Sequence, residues 1–380
     1  MFELSPIFWL WTGFIVFILT MLAIDLFVLN REAHVIRVKE AMTWTGVCIA
    51  LALLFNVAVY FIYKHNWLGI GDQFLSTHAP LPGLTDAGAA PSPHKIGLKA
   101  AGEFLVGWII EYSLSLDNIF VIAVIFAHFR VPLQYQHRVL FWGILGALIL
   151  RAVMILAGAA LISRFEWIMY VFGAFLIFTA IKLLGSDDEP DIEKNIVLRW
   201  GRRLMPITKG YHEQKFFIVE AGKRMATPLF LVLLVVEATD VVFAVDSIPA
   251  IFGITRDPFL VFTSNVFAIL GLRSLYFALS ALIRKFEYLN YSLAAILAFV
   301  GVKMILEQHP PAWVNNLIEP IAGYHWVNVH VPIPVSLGFI VLALTAGVVL
   351  SLRAAKKHPE GPPETPPAPE VVDEPKPPVP

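Results

Sequence analysis

Apolar residues run in blocks rather than stripes along this chain, and short polar connections separate the blocks. A helix on the surface of a soluble protein shows one apolar face recurring every 3.6 residues, with a polar remainder. A block that is apolar all round predicts a helix whose every side meets hydrocarbon or another helix. Blocks long enough to cross a hydrocarbon core of about 30 Å fall near residues 6–29, 41–63, 98–127, 138–162, 166–184, 227–254, 259–283, 288–306 and 333–352. The pattern predicts an all-α membrane protein of about nine transmembrane helices, with its two termini on opposite sides of the bilayer.

Charge orients these spans. Arg31, Arg37 and Lys39, then Arg130 and Arg138, then the segment from Lys182 to Arg224, then Arg284 and Lys285, then Arg353, Lys356 and Lys357 occupy alternate connections. Lys and Arg gather on the cytoplasmic side, so the N-terminus is expected outside and the C-terminus inside, in a bacterial inner (plasma) membrane. The expected organisation is a two-helix segment over 1–63, an external Pro/Gly-rich loop over 64–97 and a first transmembrane repeat over 98–184. A cytoplasmic loop over 185–226, a second repeat over 227–307, an external loop with the last helix over 308–352, and a Pro-rich tail over 353–380 follow. The stretch MFELSPIFWLW lacks a basic n-region and a small-residue cleavage site, so it reads as a retained first helix. Within the cytoplasmic loop, Asp187, Asp188, Glu189, Asp191 and Glu193 read as a solvated charged run, and FFIVEAGKR as a small hairpin.

Composition narrows the chemistry. The chain is 58% hydrophobic and 15% charged, with mean hydropathy +0.71 and net charge -1, so no basic surface for nucleic acid is expected. Cys48 is the single cysteine, which excludes an intrachain disulfide and a thiolate metal site. No GxxxxGK[ST] phosphate loop is present. Neither an enzyme nor an organic cofactor is expected.

Two spans carry acids in matching order. EYSLSLDNIFVIAVIF aligns with EATDVVFAVDSIPAIF, so Glu111, Asp117 and Asn118 match Asp240, Asp246 and Ser247. The following spans also align, GILGALILR from Gly143 against AILGLRSLY from Ala268. Because the third span is expected to run inward and the sixth outward, this is an inverted three-helix repeat, the plan of many secondary transporters with a site near the midplane. At about 100° per residue, Glu111 and Asn118 share a helix face, as do Asp240 and Ser247, while Asp117 and Asp246 lie about 120° away. Pro249 is expected to open the sixth span beside Asp246, and Ser113 and Ser115 supply a weaker break in the third.

Energy favours a functional reading of these acids. Each costs about 2.5–3.5 kcal/mol at a bilayer centre, and Glu111, Asp117, Glu237, Asp240 and Asp246 together would cost roughly 12 kcal/mol or more if uncompensated. Pairing with Arg151, Arg273 or Lys303 is the purely structural alternative, but three cations do not neutralise five acids. Asp25 and Glu103 lie nearer helix ends and are second choices. Carboxylates, an Asn amide, a Ser hydroxyl and a freed backbone carbonyl are oxygen donors, suited to Mg, Ca or Mn. His128, His137, His212, His325 and His330 fall in connections and read as ordinary surface residues. A pair of proteolytic aspartates is the weaker alternative, since neither Asp117 nor Asp246 stands in a Gly-x-Gly-Asp context.

On EYSLSLDN, on VEATDVVFAVDSIPAIFGITRDPFLVFTSNVFAILGLRSLYFAL and on LAIDLFVLNREAH, the chain resembles the TerC/Alx family of integral membrane proteins, related to the LysE transporter superfamily. The resemblance covers about residues 10–305 and beyond. It implies manganese efflux, with an older tellurium-resistance label on some members. It also implies that Glu111, Asp117, Asn118, Glu237, Asp240, Asp246 and Ser247 hold the ion. Mn(2+) is then a transported substrate. A calcium or other cation transporter, and a membrane stress-complex scaffold with a structural ion, are the alternatives.

Overall fold

The computed structural model describes residues 6–24, 38–78, 92–165, 167–185, 198, 206–208, 210–212, 214–220, 222–279, 288–307 and 331–357. Its helices are α1 (Pro6–Ile24), α2 (Val38–Lys64), α3 (Ile70–His78), α4 (Pro93–His128), α5 (Leu133–Arg164) and α6 (Ile168–Gly185), then α7 (Pro228–Phe252), α8 (Pro258–Leu270), α9 (Leu272–Leu279), α10 (Leu289–Leu306) and α11 (Ile333–Lys357). Between α6 and α7, β1 (Phe217–Glu220) and β2 (Lys223–Ala226) form the expected hairpin, antiparallel, with Phe217 opposite Ala226.

Among the described residues, eight helical stretches are long and apolar enough to cross a membrane, α8 and α9 counting together as one. The ninth expected span is α10, whose apolar stretch Asn290–Leu306 is shorter than the rest. The stretch expected as one helix over 259–283 is one membrane-length span over Pro258–Ala278, in which Gly271, itself with helical dihedrals, marks a single turn residue between α8 and α9. The external Pro-rich loop, the acidic run at 187–193 and the tail from 358 lie outside the described residues.

Helix starts are written locally. Pro93, Pro228 and Pro258 each occupy the first helical position, where a missing N–H costs nothing. Asp257 caps α8: its Oδ1 accepts from the amides of Phe259 at 2.8 Å and Leu260 at 3.3 Å, while its Oδ2 accepts from the Tyr63 hydroxyl at 2.9 Å. That buried carboxylate therefore also ties α8 to α2.

The two expected helix breaks are absent. α7 runs unbroken past Asp246 to Phe252 with Pro249 inside it. The proline stands in the last turn, so the helix loses one bond and ends three residues on rather than opening at its middle. α4 is equally continuous, and the Ser113 hydroxyl donates to the Ile109 carbonyl one turn back.

α4 packs against α2, α7 and α8; α5 packs against α7 and α8; α6 lies along α10, which also meets α11. α6 and α10 approach backbone to backbone: a Cβ added at Gly301 would stand 2.7 Å from the Gly173 carbonyl oxygen, and one at Gly173 would stand 2.9 Å from that of Gly301. Small residues at such crossings let membrane helices gain close van der Waals contact. Phe14, Phe55, Phe104, Phe259, Phe262 and Phe267 knit α1, α2, α4 and α8 through edge-on and tilted ring contacts.

The segment before the hairpin fastens one end of the bundle. The Tyr211 hydroxyl donates to the Phe129 carbonyl at 2.7 Å, just beyond α4, and the Phe217 ring meets the Phe230 ring of α7 at 4.5 Å. The C-terminal end of α4 and the N-terminal end of α7 thus share one end, and the two helices run antiparallel. Burial pushes the Tyr211 hydroxyl up to about 12 from its usual 10.0. A raised phenol contributes stability that is fully present below pH 10 and is lost as pH climbs towards 12. Tyr211→Phe is expected to lower stability by about 1 kcal/mol and to flatten that alkaline loss, both read from thermal melts of purified protein across the range.

Candidate ion site

Three charged side chains meet near mid-length of α4, α5 and α7. Arg151 of α5 is 1% exposed and holds Asp240 of α7 with two N–H groups, Nε to Oδ2 at 3.2 Å and Nη2 to Oδ1 at 2.8 Å. Its remaining nitrogen, Nη1, contacts Glu111 Oε1 of α4, and Glu111 is 1% exposed. A planar guanidinium suits this fork, and each buried charge here has an opposite charge beside it, which is the condition for burial.

Next to the ion pairs lies a cavity of about 170 Å³, bounded by Glu111, Asn118, Arg151, Thr179, Lys182, Phe243, Asp246 and Ser247, with Leu293 and Leu297 among its apolar walls. Asn118 is 4% exposed and Ser247 2%. Glu111 Oε2, Asn118 Oδ1 and Ser247 Oγ find no hydrogen-bond partner among the described residues. Asp246 is half-buried, and its Oδ1 accepts from the Thr179 hydroxyl at 3.2 Å. A second void of about 30 Å³, large enough to hold water, lies on the Asp240 side and shares Asn118 and Phe243 with the first. Buried oxygens without donors facing a void are what a hard cation or water would satisfy.

The structure thus gathers four of the seven sequence-derived candidates, Glu111, Asn118, Asp246 and Ser247, at one cavity, and sets Asp240 against it through Arg151. Glu237 points elsewhere, into the space left by Gly146 of α5, where a Cβ would collide with its carboxylate. Asp117 belongs to α4 immediately before Asn118, and its side chain lies outside the described residues, as does Asp25 altogether. Glu103 lies 3.9 Å from Lys99 near the start of α4. Among the described residues, no three His, Cys, Asp or Glu side chains form a metal cluster on their own.

Among the described residues, Arg151 takes up Glu111 and Asp240. Lys303 lies 3.8 Å from Glu307, and Arg273 Nη1 lies 3.0 Å from His137 Nε2. His128 and His137 are helical, at the end of α4 and in the second turn of α5, rather than in connections. Thr179 was not singled out by sequence, and Lys182, expected to open the cytoplasmic connection, lies instead in α6 one turn from it; only packing against α7 reveals both as cavity residues.

An all-α bundle of membrane-length helices with ion pairs at its centre is a polytopic integral membrane protein built around a buried polar site. Residues 96–359 match the family model described as Integral membrane protein TerC family, and the chain belongs to that family, as the motifs around Asp117 and Asp246 led one to expect. It is 47% identical over 318 residues to the uncharacterised membrane protein STKORF319 of Myxococcus xanthus, covering 83% of this chain and 89% of that one. Alx of Escherichia coli strain K12, named as a membrane-bound redox modulator, is 40% identical over 351 residues, 92% of this chain and 96% of Alx. The chloroplastic thylakoid membrane protein TERC of Arabidopsis thaliana is 43% identical over 259 residues, 68% of this chain and 63% of that one. No solved structure matches the chain.

Proposed function

We propose that this protein transports a divalent cation, and that the cargo is Mn2+, exported in exchange for protons or another cation. The observation that carries this reading is the cavity at which both halves contribute oxygens, Glu111 and Asn118 from α4 and Asp246 and Ser247 from α7. These are hard donors, matched to Mg, Ca or Mn; manganese in particular rests on the family resemblance. Asp117, one residue before Asn118, joins the proposed ligand set, with Asp240 and Glu237 as the flanking acids. The antiparallel course of α4 and α7 supports an inverted repeat, in which reciprocal rocking of the halves presents one site to each side in turn.

Expulsion of a divalent ion from a cell negative inside moves two charges uphill, roughly 4.6 kcal/mol at 100 mV. With no phosphate loop for nucleotide, another ion's gradient must offset that. A second reading, a membrane scaffold with a structural core, draws on the closed ion pairs of Arg151 and on the redox-modulator name of Alx. Flux separates the two. Purified protein in vesicles is expected to move Mn2+ when a pH or counter-cation gradient is imposed without nucleotide. Flux indifferent to both gradients with the potential clamped would overturn the exchange mechanism, and absence of flux would leave the scaffold.

A further inference from the structure

We propose that Arg151 is a built-in counter-cation of the site: it competes with the transported ion for Glu111, and so sets how strongly a cargo must bind to occupy the site. This rests on the transport reading above and adds the element that fills the acidic site when no ion is there.

The geometry divides the guanidinium unequally. Asp240 receives the two-pronged grip through Nε and Nη2, whereas Glu111 receives only Nη1, and Glu111 keeps its second oxygen at the cavity without a hydrogen bond among the described residues. Glu111 is therefore the partner that can be released. An ion entering the cavity takes up Glu111 together with Asn118, Asp246 and Ser247, while Arg151 stays paired with Asp240. Glu111 and Asp240 each keep an opposite charge at both stages, which keeps the exchange cheap, since an uncompensated buried charge is the costly state; Asp246 faces Lys182 at the same cavity. A monovalent ion would only replace the positive charge already there, and without the guanidinium's tether. A divalent ion brings twice that charge to the same oxygens and displaces it. The repeat does not impose this cation: in the alignment of the two halves, the position matching Arg151 is Tyr276, whose hydroxyl donates to Gln136 Oε1 at 3.0 Å.

The test is Mn2+ binding by the purified full chain in detergent at one fixed pH, read from the loss of the free-ion electron paramagnetic resonance signal. Arg151→Gln frees Glu111 and is expected to tighten Mn2+ binding by about tenfold or more. Because Arg151→Gln leaves Asp240 uncompensated and could fail to fold, the double variant Arg151→Gln/Asp240→Asn, which keeps the net charge, is measured beside it and is expected to show the same tightening. Binding by the parent that is unchanged or weaker in the double variant would overturn this proposal alone. A parent that binds no Mn2+ would overturn the transport reading and this one with it.

Discussion

Asp246→Asn is expected to reduce metal efflux to background while membrane abundance stays near that of the parent. The substituted amide keeps the size of the side chain and an oxygen that can still accept from Thr179, so the packing of α6 on α7 is retained. What disappears is the charge. Removing an acid from membrane depth relieves an insertion cost of about 2.5–3.5 kcal/mol, so stability gives no reason for the protein to be lost. Asp117→Asn is expected to behave in the same way, whereas Glu103→Gln and Asp25→Asn should be milder, since Glu103 lies towards the end of α4 beside Lys99. Efflux from Mn2+-loaded vesicles with an immunoblot for abundance decides it. Parental transport in both aspartate variants would place the site elsewhere, and an equal loss in the Glu103 and Asp25 variants would move the centre of the pathway.

The second large effect is structural. At Gly301→Leu, even the first side-chain carbon would press on the Gly173 carbonyl 2.7 Å away and on the Ile177 amide nitrogen at 3.2 Å. Those are backbone atoms of α6, which have no rotamer in which to retreat, so the two helices must part. Overpacking of this kind costs about 1–3 kcal/mol or more, and the displaced helix carries Leu293 and Leu297, two walls of the cavity. A sharp fall in melting temperature and in transport together is expected. Gly13→Leu is the control, because nothing lies within 4 Å of a Cβ there; unchanged stability in the Gly301 variant would refute the close crossing.

Hydropathy made the helices legible because a membrane helix announces itself by length and apolarity alone: among the described residues eight of the nine expected spans are long and apolar enough to cross, and the ninth is the shorter α10. The acids at Glu111, Asp240 and Asp246 stood out for the same reason, as charges where charge is costly. Legibility ended where contacts between distant segments decide. Arg151 was visible as a cation in an apolar span, but its grip on Asp240 joins residues 89 positions apart. Glu237 looked equivalent to its neighbours by sequence, yet the space at Gly146 draws it away from the cavity. The helix break expected at Pro249 failed because a proline near a helix end costs far less than one at the centre, and the end at Phe252 is set by the chain that follows.

The unequal lengths of the helices also act on the surroundings. α4 and α5, with 36 and 32 residues, extend about 54 and 48 Å, while α6 and α10, with 18 residues each, reach only about 27 Å. The two short helices of the α6–α10 flank therefore just match a hydrocarbon core of about 30 Å, while α4 and α5 must tilt or project beyond it. Thr179, Lys182, Leu293 and Leu297 all sit on that flank.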